Sequence, residues 1–436
     1  MDLSLFNPWW KSSSVPPELL GMERHVLTLL RKFLGYRQIL ALYGVRRAGK
    51  TTIMYQLINQ LLTQDKVSPL RILYFSFDEH TAEIDQILEE YAYQVLASAD
   101  PYSERTYLFL DEIQKLRDWP NQLKIIYDRY HNLKIVISGS AALVVQKGTK
   151  ESLAGRFFEF FVEPFSFEEF IEIRGADIDK KRERLYKGEL KLLFKDYLQT
   201  GGFIEAIEFP EAVLRKYFRE SLLERVAFRD IPESFSIAKP QALFRLLQLC
   251  AQFPGMYLHY KNLGNDLKMD ERTISNYVSY LGYSLLTKKL YNFSPNMLTS
   301  EKKLKRLYLT NTGFLWALGY VEPDSPQAIE TYFANYLQTN FFYRSPQKQE
   351  VDFVLTAKEK LLPVEVKIRD KIARSDLRGM ISFMSKFQCS RGLVISKDEE
   401  RVLKEGGISI TMIPYWCYWS IRKQVAEFTE HYLGSD

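Results

Sequence analysis

A mixed α/β fold organised on a parallel sheet is what the sequence predicts, from three observations. Short apolar runs of strand length, Ile39–Tyr43, Arg71–Glu79, Thr106–Gln114 and Leu133–Leu143, alternate with segments whose apolar residues recur at helical spacing. The turn after the first run, Gly44-Val45-Arg46-Arg47-Ala48-Gly49-Lys50-Thr51, is glycine-bounded and opens straight into a helix. The 436 residues are 46% hydrophobic and 26% charged, an ordinary globular composition with material for more than one core.

The turn carries the first chemistry, because it fits G-x-x-x-x-G-K-[S/T], the phosphate-binding loop. Glycines let the backbone curl so that its N–H groups face phosphate oxygens. The helix expected from Thr51 to Leu62 adds the positive end of its dipole. Lys50 can reach the β- and γ-phosphates, and Thr51 can put its hydroxyl on Mg²⁺. Gly44, Arg47, Gly49, Lys50, Thr51 and Thr52 are the candidate residues for ATP.

The run Thr106–Gln114 ends in two acids. At the end of a strand neighbouring the loop, Asp111 can hold Mg²⁺ and Glu112 can polarise an attacking water; the alternative is a pair capping the next helix. Leu133–Leu143 carries Ser138, Gly139 and Ser140 where ligands sit in open α/β sheets, so Ser138 is a candidate γ-phosphate sensor. Arg156, in the turn before an aromatic run, has two readings. It is an arginine finger reaching a nucleotide in its own or a neighbouring subunit, or a structural arginine.

A net charge of +5 permits an anionic partner without requiring one. Cys250, Cys389 and Cys417 lie far apart and form no C-x-x-C pair, which argues against a disulfide framework or a zinc site and for reduced thiols. The N-terminal stretch has no basic start followed by an apolar run of about 7–15 residues, so no secretory signal is read. No apolar run approaches the ~20 residues of a membrane span. The expected setting is cytoplasmic. The aromatic Asn7–Trp10 either packs near an adenine or anchors the N-terminus.

Helical spacing dominates from Leu192 to Phe235, broken at Gly201-Gly202, as in a helical lid. Three further helices follow from Gln241, the third capped by Asp270, then two strand-like runs, Thr287–Phe293 and Lys303–Asn311. That is the layout of a winged helix. Arg272, Thr273, Ser275 and Asn276 would face a DNA groove, and Lys288, Lys289, Lys302, Lys303, Lys305 and Arg306 would cluster around the wing toward phosphates. The alternative is a protein-docking module with a solvated lysine face.

Gln349–Leu355 and Leu361–Ile368 read as adjacent strands. Glu365 and Lys367, two apart, share a face. Asp352 can approach from the neighbouring strand and Glu330 from the preceding helix. Glu330, Asp352 and Glu365 can together hold Mg²⁺, with Lys367 orienting or deprotonating a water for phosphodiester hydrolysis; the alternative is a surface ion pair.

The segments GVRRAGKTT, LFLDEIQ, ISGSAAL, LAGRFFEF and EPFSFEEF resemble the AAA-type ATPases often called archaeal ATPases, also widespread in bacteria. IETYFANYL, EVDFVL and PVEVK resemble DUF4143, a domain of unknown function that accompanies them and is similar to PD-(D/E)xK nucleases. The resemblance implies an AAA-like P-loop parallel-sheet core over residues 1–174, a helical lid over 175–238, a winged helix over 239–325 and a restriction-endonuclease-like α/β domain over 326–436. It implies phosphate and Mg²⁺ roles for Lys50 and Thr51, metal and water-activating roles for Asp111 and Glu112, and nuclease positions for Glu330, Asp352, Glu365 and Lys367. Such ATPase sites are commonly completed by a neighbouring subunit, so a homo-oligomer is expected, a ring being one form. The function expected is a Mg-dependent ATPase acting on DNA, with a nuclease-like domain that recognises or cleaves it. The alternative is a nucleotide-dependent switch that holds a protein partner.

Overall fold

The computed structural model describes residues 2–140, 153–235, 237 and 239–433. The chain divides into two compact units, Met1–Ile173 and Arg174–Asp436.

The first unit is built on β1 (Ile39–Tyr43), β2 (Ile72–Ser76), β3 (Thr106–Asp111), β4 (Leu133–Gly139) and β5 (Phe157–Phe161). They form one parallel sheet in the order β2-β3-β4-β1-β5. Strands covered on both faces read as unbroken apolar runs, and β2 and β4 are buried throughout. The strand expected to reach Leu143 ends at Gly139, and residues 141–152 lie outside the described residues. The loop helix runs Lys50–Thr63, one residue longer at each end than expected. One spatial expectation is corrected. β4 lies between β1 and β3, so the acids of β3 come from the next strand but one.

The edge strand β2 is clad by the N-terminal aromatic segment. Asn7 Nδ2 donates to Tyr74 O (3.0 Å) while its Oδ1 accepts from Tyr74 N (2.7 Å), so one side chain supplies the hydrogen bonds of a missing strand. The indoles of Trp9 and Trp10 both donate to Ile72 O, at 3.1 and 2.8 Å. Of the two readings of Asn7–Trp10, these bonds fit the anchor.

In the second unit, the helix Lys187–Thr200 stops at Gly201, where φ is +59°. A Cβ there would lie 1.9 Å from Asn311 Oδ1, so the break read at Gly201-Gly202 has both a conformational and a steric cause. Helical structure of π-type continues through Tyr217–Glu224 and Val226–Asp230. Three helices follow, Pro240–Gln252, Tyr260–Leu267 and Glu271–Tyr283. Asp270 caps the third as expected, accepting from Thr273 N at 2.9 Å.

The strands β6 (Met256–Tyr257), β7 (Thr287–Asn292), β8 (Lys305–Leu309), β9 (Phe341–Arg344) and β10 (Glu350–Val351) form a second sheet, ordered β10-β9-β7-β8-β6. β7 and β8 pair antiparallel, as the sequence suggested. The pair is not free, however. β7 also pairs in parallel with β9, and β8 pairs with β6. The third sheet, ordered β11-β12-β13-β15-β14, holds β11 (Phe353–Ala357), β12 (Lys360–Lys367), β13 (Arg391–Ser396), β14 (Arg401–Glu405) and β15 (Ile408–Pro414). β11 and β12 are the adjacent strands expected, paired antiparallel. Among the described residues, no helix is long and apolar enough to cross a membrane.

Candidate active site

The loop between β1 and its helix is shaped by local constraints. A Cβ on Gly44 would sit 2.3 Å from Val162 O, so only glycine lets β1 pass this close to the chain leaving β5. Arg47 and Gly49 take positive φ, +65° and +87°. Arg47 is exposed, and Thr52 lies half-buried in the first helical turn. The Lys50 ammonium is buried and donates to Gly44 O (3.2 Å) and Val45 O (3.1 Å), spanning its own loop. Burial holds it below the ordinary lysine value, against the pull of Glu112 and Asp111.

Asp111 is the hub. Its Oδ2 accepts from Thr51 Oγ1 at 2.6 Å and from the Tyr74 hydroxyl at 2.9 Å, and its Oδ1 accepts from the Ser138 hydroxyl and from Glu112 N (3.0 Å). Residues from β1's loop, β2, β3 and β4 thus converge at the C-terminal edge of the sheet, where ligands of open α/β sheets bind. Thr51 and Asp111 offer the hydroxyl–carboxylate pair that suits Mg²⁺. Glu112 takes φ +52°, a strained setting for a non-glycine residue that costs about 1–3 kcal/mol. Its carboxylate accepts from Gln114 Nε2 at 2.5 Å.

Two contributors escape sequence reading. Tyr74 looks like core on an apolar strand, yet its phenol orients Asp111. Burial and the neighbouring carboxylate raise its pKa, so it stays a donor. Arg24 braces the loop from behind. Its Nη1 donates to Ala48 O (2.9 Å), its Nη2 to Glu163 O (2.9 Å) and its Nε to Glu169 (3.1 Å), and it lies 4.0 Å over the Phe165 ring. Glu169 also accepts from Ser166 N, while Ser166 Oγ accepts from Glu169 N. That capping box starts the helix Phe167–Ile173; nothing in the sequence marks Arg24.

Arg156 is not brought to this site. It immediately precedes β5, its carbonyl accepts from Ile39 N (2.8 Å), and it is therefore level with the start of β1, at the opposite edge of the sheet from the loop. It donates to Asp128 at 3.1 Å through both Nε and Nη2.

The four C-terminal candidates do meet, but with company. Glu330 accepts from Arg306 Nη2 and from the Tyr308 hydroxyl, both at 2.7 Å. Asp352 accepts from Val366 N (2.9 Å) and faces Arg306 (3.7 Å) and Lys367 (3.8 Å). Lys367 donates to Glu365. The shared face of Glu365 and Lys367 is as read from their spacing. The expected metal triad is not gathered as one. No group of three or more His, Cys, Asp or Glu side chains among the described residues is arranged to hold a metal ion.

The expected lysine patch is likewise redistributed. Lys288 donates to Ala334 O (2.7 Å), Lys303 to Phe293 O (3.3 Å), Lys305 pairs with Glu301 (3.8 Å) and Arg306 is turned inward. Of the six, only Lys302 is exposed. At the start of the third helix, Arg272 and Asn276 are exposed, with Thr273 and Ser275 half-buried.

Residues 36–171 match the model of an AAA domain. That stretch contains all five strands of the first sheet, the phosphate loop, Asp111, Glu112 and Ser138, and it is an AAA-like P-loop ATPase domain. Such a fold implies a nucleotide and usually a divalent cation. Residues 191–327 match a domain of unknown function, DUF8612, and residues 327–418 match another, DUF4143. Similar full-length proteins include an uncharacterized protein of Methanocaldococcus jannaschii, 28% identical over 85% of this chain and 83% of its own. An uncharacterized Haemophilus influenzae protein is 22% identical over 74% and 80%. Among solved structures, the Walker-type ATPase PABY2304 of Pyrococcus abyssi aligns over 70% of this chain and 97% of its own at 15% identity (TM-score 0.37). The Aeropyrum pernix ORC1 protein in complex with DNA aligns over 71% and 95% at 14% (TM-score 0.32).

Proposed function

We propose that the chain is a Mg-dependent ATPase whose turnover drives a second unit that engages a partner. The observation that carries the reading is the convergence of Lys50, Thr51, Asp111 and Ser138 at one sheet edge. Mg²⁺, held by Thr51 and Asp111, would neutralise charge on the β- and γ-phosphates. Lys50, released from its loop carbonyls, places its ammonium on the same oxygens. Glu112 polarises the attacking water, and Ser138 registers the γ-phosphate through Asp111. Arg156 serves a neighbouring subunit's nucleotide in a homo-oligomer.

The partner proposed is DNA, contacted by Arg272 and Asn276 at the start of a recognition helix in a winged-helix arrangement. A second reading, a nucleotide switch acting on a protein, draws support from the inward engagement of the hairpin cations. The steady-state ATPase rate in Mg²⁺, with and without duplex, single-stranded and branched DNA, separates them. Stimulation by one DNA form supports the first reading and an unchanged rate supports the second. Lys50→Ala abolishes turnover in both, and normal turnover in that variant would reject the site.

A further inference from the structure

The acids of the second unit already have a resident cation. Arg306, on β8, enters the cluster of Glu330, Asp352, Glu365 and Lys367 with its whole fork in use. Nη2 bonds Glu330 (2.7 Å), Nη1 faces Asp352 (3.7 Å) and Nε donates to Gly255 O (2.9 Å). The rings of Tyr308, Phe342 and Tyr257 surround its guanidinium at 5.1, 5.9 and 6.0 Å. The seat is built for it. Gly255 has φ +71°, and a Cβ there would lie 2.5 Å from Arg306 Nη2 and 2.8 Å from the Tyr308 ring.

Charge accounting points the same way. Two cations, Arg306 and Lys367, face three acids. Each acid already has one beside it: Arg306 on Glu330, Arg306 and Lys367 on Asp352, and Lys367 on Glu365. Asp352 is held low, against burial, by Lys367 and Arg306. A divalent ion would have to displace the guanidinium that holds Glu330 Oε1 at 2.7 Å and faces Asp352 Oδ1 at 3.7 Å in a largely buried group. These residues do not fit a metal.

We propose that Arg306 is a tethered replacement for the divalent cation of a nuclease-like site, so that this site binds no Mg²⁺ and cuts no DNA, and instead locks β8 to Glu330 and to the chain around β11 and β12. The proposal does not depend on the ATPase reading, because every residue lies in the second unit.

The test is Mn²⁺ titration of the full chain without nucleotide, followed by electron paramagnetic resonance. Wild type and Glu365→Gln should give the same number of bound ions, since Arg306 leaves no ion for Glu365 to hold. Arg306→Met should gain one ion per chain, and the gain should vanish in Arg306→Met/Glu365→Gln. Glu365-dependent Mn²⁺ binding in wild type overturns the proposal, as does an Arg306→Met chain that folds and gains none. If Arg306→Met fails to fold, the wild-type and Glu365→Gln pair still decides. Mn²⁺-dependent cleavage of plasmid DNA by wild type that is lost in Glu365→Gln would likewise overturn it.

Discussion

At Asp111, four donors share two carboxylate oxygens, and one of them comes from a tyrosine that the sequence gives no reason to single out. Lys50, Thr51, Asp111, Glu112 and Ser138 were legible because phosphate chemistry restricts residue type and spacing together. Tyr74 was not, because an aromatic on a buried strand has packing as its default role. A hydrogen bond to a charged group is worth about 1.5–3 kcal/mol. Tyr74→Phe should therefore lower kcat about tenfold or more while leaving the KM for ATP nearly unchanged, measured by steady-state kinetics. Glu169 gives a pH prediction. Burial opposes its charge, but Arg24 and the Ser166 and His25 amides outweigh burial and hold its carboxyl below the usual value of 4.5. Its contribution is complete above that value and is lost as pH falls through it toward the folded-state value. Urea unfolding of Glu169→Gln should show a flatter loss of stability than wild type between about pH 5 and 3.

The strand-to-helix element around the loop depends on two close approaches. Gly44→Ala drives a methyl against Val162 O, which should cost about 1–3 kcal/mol and abolish binding of a fluorescent ATP analogue. Arg24→Ala leaves the buried Glu169 carboxylate without its cation, a loss of about 3–5 kcal/mol in chemical denaturation. Adding Glu169→Gln should restore part of it. The β7–β8 pair shows where element reading stops. The strand-like runs and their lysines suggested a wing turned toward phosphates, and the pairing itself was correct. The positions of its cations depend on β9 and on carbonyls at Phe293 and Ala334, brought near only by tertiary structure. Spacing placed Glu365 and Lys367 together, but it could not say that Arg306 would join them from a strand some sixty residues earlier.

Across the molecule, four of the five core strands followed from their apolar runs, whereas β5 and the strand order did not, because β4 separates β1 from β3 only in space. The boundary expected at 325/326 falls inside a sheet, since β7 pairs with β9 across it. Residues 239–325 expressed alone should be unfolded by circular dichroism, while residues 174–436 should melt cooperatively. The Asn7 clamp bears on how the chain is made. Asn7 precedes Tyr74 by 67 residues, so it leaves the ribosome before the edge it closes exists. The outer edge of β2 is thus covered as soon as it forms, before neighbouring nascent chains can add to it.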